Sequence, residues 1–207
     1  MLVATEPPDR LRRGLAAIDA ANADDPVTIE VDGIERPKEV VHAERMTYWL
    51  GVLDPDPTEA QRLAARGHHF RRWVSPRSSY PEGRVAYLRW RADQKRRQAR
   101  EVAALLVNIG FEQETIDRVA AIVAKEHLAT DPDVQTHEDA LCLVFLELQF
   151  DDLATQLGDD RTVDVLARTT RKMSPAGLAA TAQITFSDHG RALLDAALAL
   201  PSRSVPR

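Results

Sequence analysis

Two adjacent histidines, His68 and His69, end a stretch that reads as a short helix with an apolar face, and they precede a densely basic segment. On a helix, neighbouring side chains diverge by about 100°, so the pair cannot serve one core face, and at least one ring is left to bind a ligand. Other titratable residues sit on apolar stripes at helical spacing. His42 is in register with Met46, Trp49 and Leu53, and His68 with Ala60, Leu63 and Ala64. His127 ends the run Ile116, Val119, Ala120, Val123, and Asp139 is in register with Cys142, Leu143, Leu146 and Phe150. Residues at these offsets share a face, so four helices each point a His or Asp inward. A buried Asp is costly unless it is paired or ligates a metal. Imidazole nitrogen and carboxylate oxygen are the usual donors for Fe, Mn, Zn, Co or Ni. Cys142 is the only thiol, which excludes an internal disulfide and a thiolate-rich site. The pattern points to a divalent transition metal.

The elements that must position these residues read as helices. The 207-residue chain is 44% apolar and 29% charged, an ordinary balance for a globular protein, and it is rich in Ala, Leu, Arg and Glu, which favour helix. Helical spacing spans residues 8–23, 37–53, a segment after the N-cap candidate Thr58, 84–109, 113–126, 134–157 and 159–173. Ser174-Pro175 starts a further helical stretch to about residue 198, with an interruption near Ser187. Residues 28–33 alternate briefly and read as an irregular loop or a lone strand. The expectation is an all-α fold in a single helical domain over residues 1–200, with a disordered tail at 201–207. No window is apolar enough for a membrane span, and residues 1–10 lack the apolar core of a secretory signal. A cytoplasmic protein is expected.

The net charge of −5 hides an asymmetry. Between Arg62 and Arg100 twelve Lys/Arg are opposed only by Glu82 and Asp93, a block that can attract an anionic ligand. From Gln94 to Glu101 the simpler reading is a solvated helix face with ion pairs.

As an ordered set, these motifs resemble the HD-domain superfamily of metal-dependent phosphohydrolases. His42 in Val-Val-His-Ala-Glu-Arg-Met is similar to that family's first His. Ala64-Ala65-Arg66-Gly67-His68-His69 is similar to its His-Asp doublet, and Glu138-Asp139-Ala140-Leu141-Cys142-Leu143 to its last motif. The run Val119 to His127 resembles the segment that supplies an extra His in some members. The likeness spans about residues 37–150, with the C-terminal helices at 159–198 beyond it. Residues 69–91, with His-x-x-Arg-Trp-x-x-Pro-Arg, Tyr-Pro and Tyr-Leu-x-Trp-Arg, also resemble a narrower bacterial family that carries no established activity.

The resemblance implies an HD-like helical bundle and a metal held by His42, His68, His69 and Asp139. Its departure is His69, which stands where the family has Asp. A neutral imidazole ligates but bridges two metals poorly, so a mononuclear site is expected. His127 is a further ligand or proton shuttle, with Glu126 beside it as a second candidate for proton transfer. Such a site would hydrolyse a small phosphorylated compound, a nucleotide among the options, through a metal-activated water. Arg72, Arg77, Arg84 and Arg91 are the candidates for holding its phosphate, and Tyr80, Tyr87 and Trp90 for stacking a base or sugar. Two alternatives stand beside this: an HD-type iron-dependent oxygenase, and a non-catalytic metal-bound module whose basic segment docks nucleic acid or another anionic partner.

Overall fold

The computed structural model describes residues 9–200, so Pro8 and the tail at 201–207 lie outside the described residues. The order of elements is α1 (Asp9–Asn22), β1 (Thr28–Val31), β2 (Ile34–Pro37), α2 (Lys38–Leu53), α3 (Glu59–Arg66), α4 (Arg84–Ile109), α5 (Gln113–Ala124), α6 (Pro132–Leu148), α7 (Phe150–Leu157), α8 (Asp159–Thr170), α9 (Pro175–Ala180) and α10 (Asp188–Ala199). Short 3-10 turns cover Arg72–Val74, Arg77–Ser79 and Thr181–Gln183. The fold is all-α apart from one two-stranded hairpin. Contacts divide the chain into two units, Met1–His137 and Glu138–Arg207, with the boundary inside α6. Among the described residues no helix is long and apolar enough to cross a membrane.

The hairpin replaces the loop or lone strand expected over residues 28–33. Its turn is Asp32-Gly33, both at positive φ (52° and 77°), the geometry that lets a two-residue turn match the strand twist. Val31 pairs with Ile34 and Thr28 with Pro37. The second arm, Ile34-Glu35-Arg36-Pro37, is too polar and too short to announce itself. Its end delivers the chain into α2, where the Lys38 amide donates to the Val27 carbonyl at 2.8 Å. Asp25 accepts from the amides of Val27 (3.0 Å) and Glu39 (3.1 Å), so a distant carboxylate satisfies an open donor in the first turn of α2.

In the first unit α4 packs on α5 and α1, while α3 packs on α5 and α2. Their inward stripes, including Ile18, Leu63, Val102, Leu106, Val119 and Ile122, form one buried cluster. Full burial of each such side chain contributes about 1.5–3 kcal/mol, well above the few tenths separating helix propensities, so the stripes decide the packing. Thr58 caps α3 in a reciprocal box with Gln61. Gly67 ends that helix where Val102 of α4 comes close; a Cβ there would stand 3.0 Å from Val102 Cγ2.

In the second unit α8 packs on α10 and α7. The helix expected over residues 134–157 is broken at Gln149, although neither Gly nor Pro marks the place. The break seats Phe150, which is 1% exposed, edge-on to Phe186. Ser174 and Ser187 cap α9 and α10 through their hydroxyls, at the two starts that the sequence suggests.

Candidate metal centre

Helix α3 stops at Arg66, before the paired histidines, so the 100° divergence of helical neighbours does not apply to them. His68 follows Gly67 in a turn, and His69 adopts a left-handed φ of 61°. That reversal brings the adjacent rings to the same side, with centroids 4.4 Å apart. Arg71 is also left-handed, φ 47°. Its amide donates to Asn22 Oδ1 at 3.0 Å, and its carbonyl accepts from Arg97 Nη2 at 3.0 Å. Left-handed backbone at non-glycine residues costs about 1–3 kcal/mol each, and these bonds help hold it.

Helix α2 brings two side chains to the histidine turn. The His42 ring lies 4.2 Å from that of His69. Glu39, one helical turn earlier, places Oε2 3.4 Å from His69 Nδ1. Ligand atoms of Glu39, His42 and His69 all lie within 4.8 Å of one another. Donors about 2.0–2.2 Å from a common ion stand some 3–4 Å apart, so this group can close on one metal with modest adjustment. The strongest sign of fit is His42. It is 1% exposed, and both of its ring nitrogens are wholly buried without a hydrogen-bond partner among the described residues. Buried donors and acceptors are otherwise nearly always paired, and a coordinate bond would satisfy one of these.

The electrostatics suit ligation. Burial holds His42 down at about 3, with the positive charges of Arg72, Lys38 and Lys125 adding to the effect. His69 is held well below 6.5, chiefly by burial and then by His42 and Arg72. Both rings are therefore neutral, the form that binds metal. Burial pushes the Glu39 carboxyl up to about 7, against the opposing pull of Arg72; a bound cation would favour its ionised form.

The other expected ligands have different surroundings. His68 turns its Nδ1 to His137 Nε2 at 2.9 Å and is not among the three residues whose ligand atoms converge. Asp139 belongs to the second unit, where it accepts from the Ser174 amide (2.9 Å) and hydroxyl (2.5 Å). Glu126 and His127 are exposed. The inward register expected of His127 ends two residues sooner, because α5 stops at Ala124 and Lys125 turns left-handed, φ 57°. His127 uses its carbonyl to hold Thr130 and Asp131.

A family model describing a domain of unknown function, DUF4202, matches residues 12–194. The chain belongs to this family. No curated protein and no solved structure matches it.

In this DUF4202 chain the four candidate arginines divide clearly. Arg77 donates to the carbonyls of Tyr80 (3.0 Å) and Pro81 (2.8 Å) and so folds its own loop. Arg84 lines an open cleft of about 770 Å³ with Tyr80, Pro81, Val85 and Arg89. Arg91 is exposed, 5.8 Å from the Tyr87 ring centroid. Arg72 differs from these. Its guanidinium stacks over Trp90 at 4.8 Å, and its charge is felt at Glu39, His42, His68 and His69. Among the described residues no carboxylate lies within ion-pair distance of it. Trp90 and Gln94 fix the segment bearing Arg72 by donating to Ser75 O (3.0 and 2.5 Å), and Gln94 also donates to Arg72 O (3.2 Å). Tyr80, on the wall of that cleft, donates to Asp93 at 3.0 Å. Farther along α4, Arg96 and Arg97 pair with Asp93 and Glu101, as the simpler reading of that stretch expects.

The DUF4202 site thus includes one residue that sequence reasoning passed over. Glu39 looks like an ordinary acid in the first turn of a helix, where the dipole favours it. The available signal is its spacing: Glu39-x-x-His42 sets a carboxylate and an imidazole one turn apart on one face, a ligand pattern used by di-iron helical proteins.

Proposed function

We propose that this chain is a metal-dependent hydrolase of a small phosphorylated compound, with Glu39, His42 and His69 as the metal's protein ligands. The observation that carries the reading is Arg72, an anchored guanidinium with no carboxylate partner among the described residues, whose charge reaches the three convergent ligands. One carboxylate and two imidazoles leave coordination positions open, as catalytic zinc sites do. A divalent metal bound there would supply an acidified water and a polarised phosphoryl oxygen. Arg72 would receive the other phosphate oxygens through its forked N–H groups, with Trp90 fixing the plane of the fork. Glu39 takes over the negative charge that His69, in place of an Asp, does not bring. The resemblance to HD-domain phosphohydrolases supports the same chemistry.

The test is phosphate release from a panel of phosphomonoesters by protein of measured metal content. Arg72→Ala is expected to lower phosphate release about 100-fold or more with metal content unchanged, as expected for loss of a preorganised charge contact. Metal-replete protein that releases phosphate from no member of the panel would overturn the hydrolase reading. The same donor set favours a second one, since two His and one carboxylate with open positions also suit non-haem iron that activates oxygen. Oxygen uptake by the iron-loaded chain would select it.

A further inference from the structure

His68 and His137 stand beside the three convergent ligands as a pair of their own. His137 lies on the first turns of α6, and its Nε2 is 2.9 Å from Nδ1 of His68. The rings meet edge-on, 4.8 Å apart at 65°. Both residues are buried, 3% and 2% exposed. Burial, with neighbouring positive charge, holds both rings well below the usual imidazole range, His137 at about 3. At 2.9 Å one of the two facing nitrogens must carry the proton and the other accept it, whatever the rings' titration.

Because Nδ1 of His68 is engaged, its remaining nitrogen is Nε2. That atom has no hydrogen bond among the described residues, yet it is not one of the enclosed polar atoms that lack a partner. It therefore reaches space that solvent or a ligand can enter. The His68 ring stands 4.4 Å from His69 and 5.7 Å from His42, at the edge of the candidate site. Two tautomeric arrangements satisfy the link. If His68 donates, its Nε2 presents a lone pair, which repels an anion. If His137 donates, His68 keeps its proton on Nε2 and presents an N–H, which attracts one. The positive charge of Arg72 also reaches this ring, so the second arrangement is the complement of an anionic ligand.

We propose that His137 is a positioning residue: it donates Nε2–H to His68 Nδ1, holding His68 outside the metal's ligand set with Nε2–H directed as a donor to the anion that Arg72 also receives. The anion's identity as a phosphate rests on the hydrolase reading, but the hydrogen-bond assignment does not. Outer partners that fix an imidazole's tautomer typically contribute 10–100-fold to what the ring binds.

The test is long-range 1H–15N correlation on full-length, 15N-His-labelled protein, metal-free and zinc-loaded, titrated with inorganic phosphate. The expected result is a proton on Nε2 of both rings, with the His68 signals moving on phosphate addition. His137→Ala should weaken inorganic phosphate binding about ten-fold with zinc affinity unchanged, and His137→Gln, whose amide can donate to Nδ1, should restore most of it. A proton on Nδ1 of His68, a wild-type chain that binds no phosphate, or His137→Ala binding phosphate normally would overturn the proposal. So would His68→Ala losing as much zinc affinity as His42→Ala, since His68 would then be a ligand. If His137→Ala does not fold, the wild-type tautomer decides. Zinc and phosphate binding without hydrolysis of any ester would remove the hydrolase reading and leave this one standing.

Discussion

His42 and Asp139 look alike from the sequence and behave differently in the fold. Each is a polar residue on an apolar helical stripe, and each is about 2% exposed or less. In the first unit His42 keeps both ring nitrogens buried and without a partner. In the second unit Asp139 accepts two hydrogen bonds from Ser174, against a backbone so close that a Cβ on Gly177 would lie 2.6 Å from Asp139 Cγ. Burial of a polar group is therefore weak evidence of a ligand site. Burial with hydrogen-bonding capacity left open is strong evidence, because such a group costs about 1–3 kcal/mol until something binds it.

The largest effect is expected of His42→Leu. It should lower zinc affinity at least about 100-fold, beyond the usual effect of an outer-shell change, while raising the urea midpoint of the metal-free chain, since two unsatisfied buried nitrogens disappear. A variant that is less stable and still binds metal would mean that His42 is an ordinary core residue.

The pH dependence of metal-free stability comes next. His42, His68, His69 and His137 have native values well below 6.5, His42 and His137 at about 3, so as pH falls below 6.5 the unfolded chain binds more protons at these sites. Their contribution makes stability rise with pH there, and fall on acidification. Glu39, pushed up to about 7 from 4.5, works the other way between those values, but it is one group against four. Denaturation followed from pH 6.5 to 5 should show stability falling, by about 1.4 kcal/mol per pH unit for each net proton taken up. A flat or rising profile would mean that the fold does not hold the four rings neutral.

The smallest effect tests the other side of the comparison. Asp139→Leu strips Ser174 of its acceptor and should cost about 1–3 kcal/mol; Gly177→Ala should cost a similar amount by crowding the carboxylate. Calorimetry should record both losses, and metal analysis should find the zinc stoichiometry of each unchanged. Loss of metal in Asp139→Leu would return that carboxylate to the ligand set.

Much of the fold is legible in local pattern. The limits of α4 follow from its apolar stripe and Gly110, α3 begins where Thr58 and Gln61 form their box, and Ser174-Pro175 starts α9. These are short-range effects of spacing, capping and φ. The hairpin was half legible, because Asp32-Gly33 signals a turn while the arm after it carries little apolar alternation. The break at Gln149 was not legible, since no residue type announces it; it coincides with the burial of Phe150 against Phe186.

For the site, residue types alone name the donors: neutral-capable imidazoles and carboxylates, a single thiol, and a basic segment directly after the histidine doublet. Their spacing also places His42 on an inward face, because periodicity alone decides which side of a helix is apolar. Which donors meet depends on how the elements fold and pack. His69 joins His42 through a left-handed turn that no helical register describes. Glu39 enters because Asp25 and the hairpin settle where α2 begins. His68 is drawn to His137, and Asp139 is engaged by Ser174 35 residues later in the chain. Convergence is a long-range property, set by how elements pack and by which buried groups find partners, and a one-dimensional pattern carries only the first half of that information.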